Sequence, residues 1–202
     1  MSPASFDEGL KKTKGQLQKL RSIDTTLLTG DDLIDWKFAQ SILVGREIEQ
    51  GVTKPWQKDP RIFMVFTGIS GVINAPGEIS KKVTEAKRRL KLAPVQLANG
   101  ADQLIYYVPR FQELAVFMAE NGFVLFDQEI PSFAEKAGDD RDSLLLLGGA
   151  ARDALSEYLK FLRTELPSRQ PADFAIGSGP YNDMLKGQYL LGYGADSLYA
   201  FG

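Results

Sequence analysis

The chain has 202 residues, of which 44% are apolar and 25% charged, with a formal net charge of −2. This composition fits a folded domain with room for one substantial core or two small lobes, and its near-neutrality argues against a dedicated nucleic-acid binder, which needs a strong basic excess. It contains no histidine and no cysteine, which excludes histidine and thiolate catalysis, histidine-ligated zinc, disulfides and iron–sulfur clusters.

In chain order, residues 5–22 form a short amphipathic segment, with Ser5 as candidate cap and Glu8 as its reciprocal partner. The opening Met1-Ser2-Pro3-Ala4-Ser5-Phe6-Asp7-Glu8 lacks a basic tip followed by an apolar stretch, so no signal peptide is expected. Asp31 or Asp32 opens a second helix. There Ile34, Phe38 and Ile42 fall four apart, with Leu33, Trp36 and Leu43 broadening the stripe. Gly51 fits a stop, and Pro55 opposes continuation.

Asp59 before Pro60 predicts a helix from near Arg61, with Phe63, Phe66, Ile69 and Ile73 on one face. Gly68 and Gly71 in that pattern suggest a close helix crossing. Ile79, Val83, Ala86 and Leu90 give the cleanest amphipathic signal up to that point in the chain. One long helix is expected from about residue 101 to 136, bent at Pro109 and Gly122. A second long helix starts at Gly138-Asp139-Asp140 and closes at Pro167. Its stripe is Leu144, Leu147, Ala151, Ala154, Tyr158 and Leu162, and Gly148-Gly149 marks another close approach. Residues 168–180 are loop-like, Tyr181 to Leu190 form a short helix, and Asp196 to Phe201 begin another. The expected fold is all-α: an irregular multi-helix bundle with two long helices and short connecting turns, over 1–202 as a single helical domain. No run of about 18 apolar residues exists, so no membrane span is expected.

The acidic clusters Asp31-Asp32-Asp35 and Asp139-Asp140-Asp142 lack calcium-loop spacing and precede helices, where they favour the helix dipole. No metal and no cofactor is therefore expected. Gly177-Ser178-Gly179-Pro180-Tyr181 lacks the lysine and preceding strand of a phosphate loop and fits a turn entering a helix. The basic runs Lys11 to Arg21 and Lys81 to Lys91 fit solvated helix faces. No carboxylate pair stands out for acid–base work, although Glu47 and Glu129 sit in mixed apolar surroundings. Catalytic residues are accordingly assigned to none. The candidate binding residues are the aromatics Trp56, Tyr106, Tyr107, Phe111, Tyr181 and Tyr189, which could line a groove. The competing account makes Trp56 a core plug and the tyrosines helix-end caps.

The last fifty residues carry a recurring passage. Ala154 to Leu166 precedes Pro167. Then come Asp173-Phe174-Ala175-Ile176-Gly177, Tyr181 with Leu185, Leu191-Gly192-Tyr193, and Ser197-Leu198 with Gly202. Upstream, Trp56 with Pro60 and Arg89-Leu90 with Pro94 keep the same order. The whole resembles the N-terminal helical portion of a large bacterial family of secreted or lipoprotein-like proteins related to helical zinc metallopeptidases. That resemblance implies a cell-envelope or secreted relative. It also implies that the zinc-binding His-Glu-x-x-His segment lies outside these residues. Gly177 and Gly192 match the pattern and fit turn conformations closed to larger residues.

The leading expectation is a non-catalytic helical module that binds a protein or peptide, with a peptidase-like chain carrying the missing segment as one candidate partner. An enzyme using carboxylate, lysine, serine or tyrosine chemistry is the second reading. An enclosed polar pocket holding two or more of Glu47, Glu113, Glu129 and Lys160 would favour it. A small-ligand or cofactor-binding bundle is the third, with its site around Phe66, Gly71 and Gly148.

Overall fold

A computed structural model describes residues 3–201 of the chain and the side chains of residues 5–201. The chain is an irregular all-α multi-helix bundle. Among the described residues nine α-helices alternate with short 3₁₀ and π turns. They are α1 (Pro3–Arg21), α2 (Gly30–Ile48), α3 (Phe66–Asn74), α4 (Ile79–Gln103), α5 (Pro109–Val124), α6 (Ile130–Ala134), α7 (Arg141–Thr164), α8 (Ser178–Asp183) and α9 (Ala195–Phe201). Two compact units divide the chain. The first comprises Met1–Pro55 and Asp173–Gly202, the second Trp56–Ala172.

In the second unit the two longest helices, α4 and α7, pack along their length. Val83, Ala86, Leu90, Ala93 and Leu97 recur every three or four residues along α4 and are all buried. Leu144, Ala151, Leu155, Tyr158 and Leu162 do the same on α7. The alanines in both stripes leave space for large neighbours. Pro94 lies inside α4 and removes one helical donor, yet the helix continues to Gln103. Asn99-Gly100 therefore sits within this helix. The Phe63 ring packs against Gly100, where a Cβ would meet its Cγ at 2.7 Å.

Three expected boundaries shift in this unit. The helix anticipated from Arg61 begins at Phe66. Before it, Asp59 accepts from the Arg61 backbone N–H and holds Pro60–Phe63 in a 3₁₀ turn, which ends at extended Met64. The helix anticipated from 101 to 136 is broken at Leu104–Val108. There Ile105 N–H donates to Gln57 O at 3.0 Å, and Ala172 N–H donates to Tyr107 O at 2.9 Å. The two-residue strand β1 (Tyr106–Tyr107) lies parallel to β2 (Gln170–Pro171), so backbone groups that a helix would satisfy internally find partners far along the chain. Pro109 then opens α5, consistent with proline at a first helical position. The 101–136 helix is also interrupted by a π turn at Leu125–Glu129 before α6.

The first unit has a smaller core. Helices α1 and α2 form a hairpin held by Leu17, Val44 and Ile48, with Leu43 and Met184 against them. Trp36 Nε1 donates to Leu20 O at 2.9 Å, and Thr13 Oγ1 donates to Gln50 Oε1 at 3.0 Å. Helix α1 already runs from Pro3, so Ser5 lies inside it and is not its cap. Gly51 does not end α2. The helix widens into a π turn, Glu49–Thr53, and stops at Lys54, whose φ of 41° is left-handed. Helix α8 likewise runs into a π turn, Met184–Gln188. Its Gly187 lies against α2, where a Cβ would meet Val44 Cγ1 at 2.7 Å. Gly177 has a φ of 85°, as its turn requires, whereas near Gly192 the left-handed position belongs to Leu190, at 56°.

The stripe Ile34, Phe38 and Ile42 does not face the core. These side chains are 64%, 62% and 39% exposed. Helix α2 presents the face containing Leu33, Trp36, Leu43, Val44 and Ile48 inward instead. Both sides of this helix are apolar, so its periodicity leaves the inward face undetermined.

Candidate functional site

The six candidate aromatics fall into different settings. Trp56 is buried in the Pro55–Gln57 turn of the second unit. Tyr106 and Tyr107 are half-buried in β1. Phe111 lies under the Arg61 guanidinium at 4.6 Å, and Asp59 holds that guanidinium through two bonds of 2.8 and 2.7 Å. Tyr181 and Tyr189 belong to the first unit and are exposed, at 37% and 57%. None of the six lines either of the two grooves described below.

The α2 stripe is an exposed apolar row of the first unit. Ile34, Phe38 and Ile42 are spaced four apart and stand on one helix face. Elsewhere in the same unit Leu27, Phe174, Tyr199 and Phe201 are also strongly exposed. Single exposed apolar residues are ordinary, but a continuous helical row of them is characteristic of a contact surface.

A groove of about 570 Å³ in the first unit is lined by Lys14, Arg21, Glu47, Val52, Asp183 and Lys186, among others. Charges of both signs share it. A second groove, of about 600 Å³, lies within the second unit between α3 and the end of α5. Phe66, Gly71, Gly122, Val124 and Leu125 supply its apolar walls. Gly122 is required there, because a Cβ would meet the Phe66 ring at 2.5 Å.

A hydrogen-bonded set stands at this second groove. Ser70 Oγ donates to Glu129 Oε2 at 2.8 Å, and Asn74 Nδ2 donates to the same oxygen at 3.2 Å and to Ser70 Oγ at 3.1 Å. Ser70 and Asn74 are one turn apart on α3, and Glu129 closes the Leu125–Glu129 π turn. Such turns occur often at functional sites. Glu129, Phe66 and Gly71 were legible as candidates in the sequence, whereas Gly148, named with the last two, does not line this groove and packs against Ile130. Ser70 and Asn74 were not legible, although their four-residue spacing opposite the buried Ile69 and Ile73 was an available signal.

The four residues named for an enzyme reading do not converge. Glu47 lines the first unit's groove and Glu129 the second unit's. Glu113 pairs with Arg110 on exposed surface, and Lys160 is exposed beside Glu157. Among the described residues no group of three or more carboxylates could hold a metal ion. Asp140 of the second acidic cluster pairs with Lys87 at 2.6 Å. No helix among them is long and apolar enough to cross a membrane.

No family model matches the chain, and no curated protein matches it. Its fold is shared with the solved structure of a candidate lipoprotein of unknown function from Shewanella oneidensis, with a TM-score of 0.86 and 22% identity. The similarity covers 99% of this chain. The chain spans 38% of the length of that protein.

Proposed function

We propose that this chain is a helical polypeptide-binding module whose contact surface is the Ile34–Phe38–Ile42 face of α2. The exposed row itself carries the reading. Fully covering an aliphatic or aromatic side chain contributes roughly 1.5–3 kcal/mol, and a helix laid along α2 could cover all three through its own residues four apart.

The occupant in this reading is an amphipathic helix of a peptidase-like polypeptide. The reading builds on the resemblance proposed from the sequence to the helical front of a metallopeptidase-related family, together with the absence of histidine. The similar solved structure has a longer chain than the shared fold. Its description as a candidate lipoprotein also supports a cell-envelope or secreted setting for this chain.

Light scattering tests the reading, with the remaining part of the Shewanella oneidensis protein, expressed separately, as the probe. A one-to-one complex is expected, and Phe38→Asp should abolish it. Unchanged binding by the Phe38→Asp variant would remove α2 as the contact surface. A dimer of this chain alone would reassign the face to self-association.

A further inference from the structure

Glu129 is an exception among its neighbours. Glu120 pairs with Arg163, Asp127 with Arg152 and Glu135 with Arg141. Among the described residues, Glu129 has no lysine or arginine within ion-pair distance. Its fixed contacts are Ser70 and Asn74, both on the Oε2 atom, and among the described residues no hydrogen bond reaches Oε1. The carboxylate is thus oriented by neutral donors and has no cation in contact, with Lys136 lining the adjoining cavity.

The fold places this charge beside an apolar groove. A π turn adds one residue to a helical turn, which rotates the following side chains by roughly 100° relative to a regular helix. Glu129 comes at the end of such a turn and meets α3 across the groove. Phe66, Val124 and Leu125 line the space alongside, and its volume of about 600 Å³ lies in the range of small-molecule sites.

We infer that the groove between α3 and the Leu125–Glu129 turn binds a small amphiphilic primary amine, its ammonium on Glu129 and its apolar body between Phe66 and Leu125. An ammonium brings three donors and the missing positive charge, and Glu129 Oε1 is the open acceptor. An anion would be repelled, and a neutral alcohol would leave the carboxylate uncompensated. The inference is independent of the α2 face, which lies in the other unit.

Amide NMR titration of the full chain with phenethylamine, 2-phenylethanol and 3-phenylpropionate tests it. Phenethylamine should shift Ser70, Asn74 and Glu129 and bind about tenfold or more tightly than the alcohol, as a charge-assisted hydrogen bond requires. The carboxylate probe should not bind. Leucyl-leucine amide, run in parallel, shows whether a free peptide amino terminus is preferred to a simple amine. Either preference keeps the same chemistry. Glu129→Gln retains an oxygen for Ser70 and Asn74 and should remove the advantage of the amine over the alcohol. Gly71→Phe, at a groove position with open space around it, should block every probe while leaving Glu129 intact. Equal binding of amine and alcohol, no binding of either amine, or amine binding unchanged in Glu129→Gln would overturn the inference.

Discussion

The Tyr158 hydroxyl, on α7, donates to the backbone carbonyl of Pro60 at 3.0 Å across 98 residues of sequence. Both residues are buried, so this bond fixes the 3₁₀ turn before α3 to the central helix of the second unit. Pro60 is among the most completely buried residues, so its carbonyl depends on this donor. Removing the hydroxyl in Tyr158→Phe is expected to destabilise the fold by about 1–3 kcal/mol, the cost of a buried acceptor left without a donor. Urea unfolding would show it as a lower midpoint with an unchanged slope.

The same tyrosine predicts an alkaline limit. Burial, with a smaller contribution from the nearby Asp59 charge, pushes its ionisation well above the ordinary tyrosine range. The folded state therefore holds this proton more tightly than the unfolded chain. Its contribution to stability is complete below about pH 10 and declines as the pH rises further. Of the seven tyrosines, Tyr158 should ionise only together with unfolding. Absorbance at 295 nm and far-UV circular dichroism, followed in one titration, should show the Tyr158 phenolate appearing only as helix signal is lost. A Tyr158 phenolate formed with the helices intact would contradict this.

Glu85 on α4 predicts an effect at the opposite end of the pH scale. It accepts from Arg88 through both oxygens at 2.7 Å and from Arg89 at 2.7 Å. These bonds lower its pKa from 4.5 to about 2. Arg89 also donates to Gly68 O at 2.8 Å, which links the cluster to α3. With the folded value depressed, the stabilisation is present above the ordinary carboxylate range and fades as the pH falls toward 2. The cluster is partly exposed to solvent, so salt weakens it. The Glu85 carboxyl carbon should titrate with a midpoint near 2 at low ionic strength and move upward in 1 M sodium chloride. A midpoint near 4.5 in both conditions would show that the arginines do not hold the carboxylate.

Residue patterns revealed the second unit's core better than its boundaries. Val83, Ala86 and Leu90, and Leu144, Ala151, Tyr158 and Leu162, share faces by spacing alone and are buried, whereas Ile79 of the first stripe is 40% exposed and Leu147 and Ala154 of the second are half-buried. Along the middle of those helices period and burial agree. On α2 they part, because Ile34, Phe38 and Ile42 share a face without a covering element. Spacing states which side chains stand together. It does not state what covers them. The break at Leu104–Val108 was illegible for another reason: Tyr106–Tyr107 take their register from Gln170–Pro171. At the groove, Glu129 was visible as a carboxylate in apolar surroundings. Its partners Ser70 and Asn74 lie 59 and 55 residues away and are brought to it only by the packing of α3.

The glycines of the two long helices give a paired prediction. Gly100 on α4 is covered by Phe63, so Gly100→Ala would place a methyl 2.7 Å from Cγ and 2.9 Å from Cβ of Phe63. Phe63 is among the most completely buried side chains and has little room to yield. A loss of about 1–3 kcal/mol is expected, as for other overpacked cores. Gly149 on α7 is exposed and has nothing within 4 Å of an added Cβ. There Ala restores helix propensity, and a gain of up to about 1 kcal/mol is expected. Thermal unfolding of the two variants should move in opposite directions. Equal destabilisation by both would mean that the Gly148-Gly149 step is occupied on both sides, and not only at Gly148, where Ile130 packs.

The α2 face yields the final prediction, which concerns stability without a partner. Phe38 is 62% exposed and lies outside the buried Leu17, Val44 and Ile48 cluster. Phe38→Asp should therefore change the unfolding free energy by no more than about 0.5 kcal/mol, the usual range for surface substitutions. Val44→Ala, six residues further on and facing inward, removes part of that cluster and creates a cavity. It should cost about 1–3 kcal/mol, since the small first-unit core has few other contacts to absorb the loss. Urea titration followed by Trp36 fluorescence would report on the first unit directly, with Trp56 replaced by Phe to remove the second tryptophan. Strong destabilisation by Phe38→Asp would mean that its ring supports the hairpin and is not a free surface. A neutral Phe38→Asp beside a costly Val44→Ala would separate the outward face of α2 from its inward one within a single helix.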